Sequence, residues 1–296
     1  MSPLKALPTG HSSMRHLIII PAYNEEDNLN RLINSLSSQT QLPSRLVMVD
    51  DGSTDATAAI LGDYQRQYPW IQVVTNHNKD PRATGAKIVR AFNLGLDSQN
   101  LTDYDVVSKF DADLEFSPDY LERITASMLS DEDIGLTGGI CTVEQDGGRW
   151  TEESVSKTDH IRGALKSYRV RAFQQMEGLR LFMGWDSADE FLLRYHGWKV
   201  TPLRDLHVRH HRETNELNGW IKTSRLNAQV FHNLGYGFII GSLSALKRGM
   251  KNKPWVLSGL LTFVYFILGY LSPQPHQLRP EIAKFVRAYR RKTILS

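Results

Sequence analysis

Three short apolar runs, each closed by acidic or turn-forming residues, constrain the fold of this chain more than any other feature. His16 to Pro21 (HLIIIP), Arg45 to Val49 (RLVMV) and Asp105 to Phe110 (DVVSKF) are continuous rather than alternating. A strand that is apolar on both faces is buried on both, as in a parallel sheet covered by helices. Helical signals lie between the runs. Asn24-Glu25-Glu26-Asp27 precedes Leu29, Leu32, Ile33 and Leu36 at helical spacing, and Ser53, Thr54 and Asp55 can cap a second helix. Ile71 to Thr75 reads as another strand and Gly85 to Leu96 as another helix. Repeated βα units predict an α/β fold with a doubly wound, mostly parallel sheet. From Ile134 the runs become less regular: Ile134 to Val143, Gly163 to Phe173, a helix from Ala188 or Asp189 to Tyr195, a strand beginning at Gly197, and another from Leu206 to His211.

Ligands of such sheets gather at the carboxyl ends of the strands. Pro21-Ala22-Tyr23, Asp50-Asp51 and Asp111-Ala112-Asp113 are three such ends and should converge. Two carboxylates one residue apart at the end of a buried strand are costly unless a cation meets them. A Mg²⁺ or Mn²⁺ ion carrying a diphosphate satisfies that need with hard oxygen ligands. Two blander readings stay open: Asp50-Asp51-Gly52-Ser53 has the composition of a capped turn, and Glu25 that of a helix N-terminal charge. Lys79, Arg82 and Lys87 follow the third strand and could offset diphosphate charge, with Arg82 the best placed.

Composition narrows the classes. The 296 residues suffice for one large α/β unit and an appendage. A single cysteine, Cys141, excludes an internal disulfide framework and a zinc site built on several cysteines, and suits a reducing compartment. Met1 to His16 lacks the apolar core of a signal peptide, which reads against secretion. Charge divides near residue 235. From Tyr236 onward there are ten basic residues and one acid, Glu281, a net +9 that leaves −6 for residues 1–235. Within that tail Trp255 to Leu271 runs seventeen residues without a charge, at the lower limit for a membrane span and with basic residues on both sides. We therefore expect a domain over 1–235 and, over 236–296, a helical region that re-enters or lies on an anionic, cytosolic membrane face rather than binding nucleic acid. A buried core helix is the alternative for the apolar run.

Four motifs together resemble the inverting family 2 glycosyltransferases. They are Ile20-Pro21-Ala22-Tyr23-Asn24-Glu25-Glu26, Val49-Asp50-Asp51-Gly52-Ser53-Thr54-Asp55, Lys109-Phe110-Asp111-Ala112-Asp113 and Gly184-Trp185-Asp186-Ser187-Ala188-Asp189-Glu190, in the family's order across roughly residues 15 to 215. The resemblance implies the GT-A fold and a nucleotide-diphosphate sugar donor of UDP or GDP type. It implies that Pro21, Ala22, Tyr23, Glu25, Asp50 and Asp51 line the nucleoside, that Asp111 faces the ribose or the metal, and that Asp113 is the better metal ligand. It also places a histidine near the metal, at His210 or His211. Adjacent strand residues point to opposite faces, so at most one of the two serves, with His210 preferred.

An acceptor hydroxyl must lose its proton as it attacks, and a carboxylate within hydrogen-bond reach is the simplest base. By resemblance that base aligns with Asp189, with Asp186 as the rival because of its spacing to Gly197. Lys166 or Arg169 could meet an anionic acceptor or the leaving diphosphate. No Gln-x-x-Arg-Trp motif follows, which favours a single sugar addition over polymer synthesis. The resulting expectation is a metal-dependent transferase acting on a lipid-linked or saccharide acceptor in envelope or exopolysaccharide synthesis. A nucleotidyltransferase and an inactive nucleotide-sugar-binding protein are the alternatives.

Overall fold

The computed structural model describes residues 14–77, 87–145, 147–153, 159–211, 219–249, 254–271 and 277–295. Lys79 and Arg82 lie outside them. The first half alternates strand and helix: β1 (His16–Ala22), α1 (Glu26–Ser37), β2 (Arg45–Asp50), α2 (Thr57–Gln67), β3 (Ile71–Thr75), α3 (Lys87–Asp97) and β4 (Val106–Phe110). Then follow β5 (Leu114–Glu115), α4 (Tyr120–Ser130), β6 (Ile134–Gln145), β7 (Arg149–Glu152), β8 (Leu165–Arg169), α5 (Val170–Gln175), α6 (Trp185–Tyr195) and β9 (Lys199–His210).

One sheet carries all nine strands in the order β3-β2-β1-β4-β8-β6-β9-β5, with β7 on β6. β1 to β4 pair in parallel, as their two-sided apolar sequences require. Leu17 to Ile20 and Leu46 to Val49 are fully buried between α1, α2 and α3. Packing is closest at Gly95 of α3, where a Cβ would lie 2.7 Å from Ile19 Cγ2 and 2.8 Å from Val49 Cγ2. Beyond β4 the sheet turns over: β8 runs antiparallel to β4 and β6, while β9 runs parallel to β6 and antiparallel to β5.

Three sequence expectations need correction here. The run from Gly163 to Phe173 is a strand followed by a short helix. The two strands expected from Gly197 and Leu206 are one twelve-residue strand, β9, held against β6 across two register shifts. Helix α6 begins at Trp185, not at Ala188 or Asp189, because Gly184 takes a left-handed conformation (φ 96°) that ends the preceding turn.

Four helices complete the chain: α7 (Trp220–Asn233), α8 (Gly237–Gly249), α9 (Leu257–Leu271) and α10 (Pro280–Leu295). The expected boundary at residue 235 falls in the turn between α7 and α8. A Cβ at Gly184 would sit 2.9 Å from Val230, so α7 packs on the turn that opens α6. α10 returns to the same helix, with Phe191 against Tyr289 and Tyr195 against Phe285. The inner faces of α8, α9 and α10 share the core through Ile240, Phe266, Ile282 and Val286. Among the described residues no helix is long and apolar enough to cross a membrane.

Candidate active site

The loops that follow the first two strands lock together. Asn24 adopts a left-handed backbone (φ 53°), and its side chain accepts from the Thr54 amide at 2.8 Å while its own amide donates to Ser53 Oγ at 3.0 Å. The Glu25 amide donates to Thr57 Oγ1 and the Ala56 amide to Glu26 Oε2, each at 2.8 Å. Asp50 is buried, and its carboxylate accepts from the Ser53 amide at 2.9 Å, so it serves the turn. The pleat sends Asp51 the other way, where it accepts from Asn76 Nδ2 at 2.6 Å and lies 3.3 Å from Lys87 Nζ. That ammonium also stands 4.1 Å above the exposed Tyr23 ring. Tyr23, Asp51 and Lys87 are thus one cluster, with Pro21 and Ala22 behind them on β1. Glu25 is buried behind the cluster, accepting from Asn28 Nδ2 at 2.8 Å.

The third strand end meets β9. Leu114 pairs with His210, which brings the imidazole beside the Asp-x-Asp turn. Ligand atoms of Asp111, Asp113 and His210 lie within 4.8 Å of one another. His211 points to the opposite face, where Nε2 lies 2.8 Å from Glu115 Oε2 and the ring meets Trp150, so it does not join the cluster. Burial pulls the His210 imidazole down, but Asp113 at 3.4 Å and Glu153 at 3.3 Å push it up to about 9. Two carboxylates and an imidazole are a donor set that Mn²⁺ accepts, and Mg²⁺ through the oxygens. A second grouping, Cys141, Glu153 and His210, shares the same imidazole, with burial pushing the Cys141 thiol well up.

The fourth motif divides into an accessible acid and a locked one. Asp186, in the first turn of α6, is partly exposed, and its Cβ lies 3.1 Å from where a Cβ on Gly163 would stand. Asp189 is 1% exposed. Both its oxygens accept from Lys166 Nζ at 2.8 Å, and Tyr168 donates its hydroxyl to the same carboxylate. Burial pushes Asp189 up to about 6, Glu190 adds to the rise and Lys166 opposes it. Burial would also raise Glu190, but the charges of Lys166, His160 and Arg194 hold it down to about 2.

Lys166 is therefore an internal counter-charge, fully buried, rather than a contact for acceptor or diphosphate. Arg169 is likewise structural, donating to the carbonyls of Ile134, Met128 and Asp131. Sequence reasoning missed Lys109, whose buried ammonium bonds Asp111 and donates to the Gly163 carbonyl at 3.0 Å. It also missed Glu153 and Tyr168. A charged residue inside an apolar run, as Lys109 is within VVSKF, was the available signal for a buried ion pair.

A model of family description "Glycosyl transferase family 2" matches residues 17–183, more than half of the chain. The polyprenol monophosphomannose synthase of Mycolicibacterium smegmatis is 28% identical over 128 residues, 43% of this chain and 46% of that protein. The undecaprenyl-phosphate 4-deoxy-4-formamido-L-arabinose transferase of Pseudomonas fluorescens is 33% identical over 114 residues, 37% of this chain and 31% of that protein. The chain thus spans less than half the length of these curated relatives. Among solved structures, the mannosyltransferase PcManGT of Pyrobaculum calidifontis, in complex with GDP-Man and Mn²⁺, superposes with a TM-score of 0.57 at 15% identity, covering 100% of this chain and 84% of that one. That likeness identifies the GT-A fold, and the family match makes this chain a member of glycosyl transferase family 2.

Proposed function

We propose that the chain is a metal-dependent, inverting glycosyltransferase that moves one sugar from a nucleotide-diphosphate donor to a lipid-linked acceptor at a membrane surface. The observation that carries this reading is that Asp111, Asp113 and His210 cluster just past the carboxyl end of β4, while Tyr23 and Asp51 of the Tyr23–Asp51–Lys87 cluster follow the carboxyl ends of β1 and β2, its parallel neighbours in the sheet. Asp51 can accept from a base or ribose, Tyr23 offers a ring for stacking, and Lys87 brings positive charge to the phosphates. Asp113 and His210, with Asp111, would hold Mn²⁺ or Mg²⁺, which when bound neutralises charge on the departing diphosphate. The acceptor oxygen bonds to the anomeric carbon from the side opposite the diphosphate. As it does so the carbon–oxygen bond to the nucleotide breaks and the hydroxyl proton passes to a carboxylate. We assign that base to Asp186, because Asp189 is closed off by Lys166 and Tyr168 and no hydroxyl can reach it.

The relatives named for polyprenol and undecaprenyl phosphate favour a lipid-linked acceptor. So does the outer face of α8 and α9, where Phe238, Ile239, Leu243, Leu246, Leu257, Leu260, Leu268 and Leu271 are exposed. Calorimetric titration with UDP- and GDP-sugars, with Mn²⁺ and with chelator, tests the donor half. At least one nucleotide sugar should bind with Mn²⁺ and lose most of its affinity without it. Absence of metal-dependent binding across the panel refutes the reading.

A further inference from the structure

Two arginines of the C-terminal helices, Arg248 within electrostatic reach of the proposed base, keep a buried N–H without a partner among the described residues. Arg248 projects from α8 and donates through one terminal nitrogen to Asn227 Oδ1 of α7 at 2.7 Å. Arg290, from α10, stacks over the buried Tyr236 ring with Cζ 5.3 Å from its centroid. Both guanidiniums bear on that one phenol, and the Asp186 carboxylate is close enough to act on Tyr236 and Arg248 alike. The Nε atoms of both arginines are buried, and among the described residues neither has a hydrogen-bond partner. Nor does either guanidinium form an ion pair with a described carboxylate. By contrast, the third inward arginine, Arg287, is satisfied by the Gly235 carbonyl at 2.9 Å.

Two like charges held together with buried, unused N–H donors are expensive unless an anion completes them. The planar guanidinium fork suits a phosphate, which offers several acceptor oxygens at once. The surroundings say which phosphate. Arg248 lies on the inner side of α8, the helix whose outer side exposes Phe238, Ile239, Leu243 and Leu246. A lipid tail running along that apolar face would bring its headgroup to the arginines. The donor's diphosphate already has a place, at Asp111 and Asp113. A chain of contacts links the two: Lys109 bonds Asp111 and the Gly163 carbonyl, and Gly163 abuts Asp186.

We propose that Arg248 and Arg290 form the seat for the phosphate or diphosphate of a lipid-linked acceptor, beside Asp186. Only the link to catalysis rests on the glycosyltransferase reading; the binding itself does not. The probe is the soluble prenyl diphosphate farnesyl diphosphate, titrated into the full-length protein by calorimetry in chelator, so that the metal cluster cannot hold it. Farnesol and inorganic diphosphate serve as comparators. Farnesyl diphosphate should bind, farnesol should not, and Arg248→Gln and Arg290→Gln should each weaken binding about tenfold or more. Arg248→Lys, which keeps the charge and loses the fork, should fall between. Melting of the free protein should not drop in the glutamine variants, since each removes half of a repelling pair, while stabilisation by the probe should vanish. Wild-type affinity in both glutamine variants, no binding by the wild type, or displacement of the probe by UDP or GDP in chelator overturns the seat. Loss of metal-dependent donor binding with the prenyl diphosphate still held would instead refute the enzyme reading and leave the seat standing.

Discussion

The two acids of α6 give the sharpest separation of roles. Asp189 receives two 2.8 Å hydrogen bonds from Lys166, with side-chain exposures of 1% and 0%, so Asp189→Asn leaves a buried ammonium facing only Glu190 at 3.5 Å and the Asp186 carbonyl. Breaking one side of a buried pair costs about 3–5 kcal/mol, and the amide oxygen, still able to accept from Lys166, reduces this to roughly 2–4 kcal/mol. At about 2–4 °C per kcal/mol for a chain of this size, melting should fall by roughly 5–15 °C. Lys166→Met should cost at least as much, because it leaves the buried Asp189 without its cation beside a Glu190 still paired with Arg194 and His160. The two changes combined should cost less than their sum by at least about 1 kcal/mol. Burial raises the Asp189 carboxyl from 3.8 to about 6, so ionising it in the fold costs the wild type stability as pH rises through that window, and the penalty of the Asn variant, which lacks this titration, should be larger below the window than above it. Asp186→Asn behaves in the opposite way. Its carboxylate is partly exposed, so stability should move by no more than about 0.5 kcal/mol while kcat drops about 10²- to 10⁴-fold. Differential scanning calorimetry and initial rates on the same preparations decide the matter. An Asp189→Asn protein that melts like the wild type yet has lost turnover, beside an active Asp186→Asn, would refute the assignment.

Metal binding should divide the two histidines. Asp113→Ala and His210→Ala should each lower Mn²⁺-dependent nucleotide-sugar affinity at least about tenfold, while His211→Ala, whose partner is Glu115, leaves it unchanged by calorimetry. His16 makes the fold acid-sensitive: burial lowers its pKa from 6.5 to about 3, with Nε2 2.6 Å from Ser108 Oγ. The unfolded chain therefore binds a proton that the native state refuses, so stability falls with pH below 6.5, by about 2 kcal/mol between pH 7 and 5. Urea unfolding at those two pH values should show His16→Gln losing that increment; an unchanged slope excludes His16 as its source. On the C-terminal helices, Leu243→Gln with Leu260→Gln should weaken flotation with anionic vesicles about tenfold or more, since both side chains are about half exposed. Undiminished flotation would remove the apolar face from membrane binding.

The first half of the chain was legible because its signals are local. Continuous apolar strands are buried on both faces, and their ends must carry whatever polar chemistry the sheet performs. The two-residue period of a strand showed that at most one of His210 and His211 could serve, and the pairing of Leu114 with His210 is what separates them. The later half was harder, for reasons that are not local. β9 keeps one register with β6 only from Val200 to Pro202, after a shift next to Lys199, and resumes at His207 after a second, so the break between Lys199 and Leu206 resembled a loop. The acids after Gly184 looked like a helix opening at Asp189. The true start three to four residues earlier is set by Gly184, packed against Val230 of a helix nearly fifty residues away. Glu153, beside the exposed Glu152, carries no sequence mark distinguishing the residue that turns inward to His210. The basic tail read as a membrane region on charge and hydropathy, and neither property could disclose that α10 folds back onto α6.

Lys109 and Lys166 bind these halves into one site. They are direct neighbours across β4 and β8, a register in which like charges repel. Each is answered from a different direction, Lys109 by Asp111 of the Asp-x-Asp turn and Lys166 by Asp189 and Glu190 of α6. The Trp185 ring lies 5.4 Å from one ammonium and 5.9 Å from the other. Two buried cations side by side are tolerable only while both sets of acids are in place, so the fold of β4 and β8 requires the carboxylates of both half-sites. The Asp-x-Asp turn and the first turns of α6 are consequently held at a fixed separation by electrostatics. On the proposed function, a donor held at one would meet an acceptor held at the other with little conformational search.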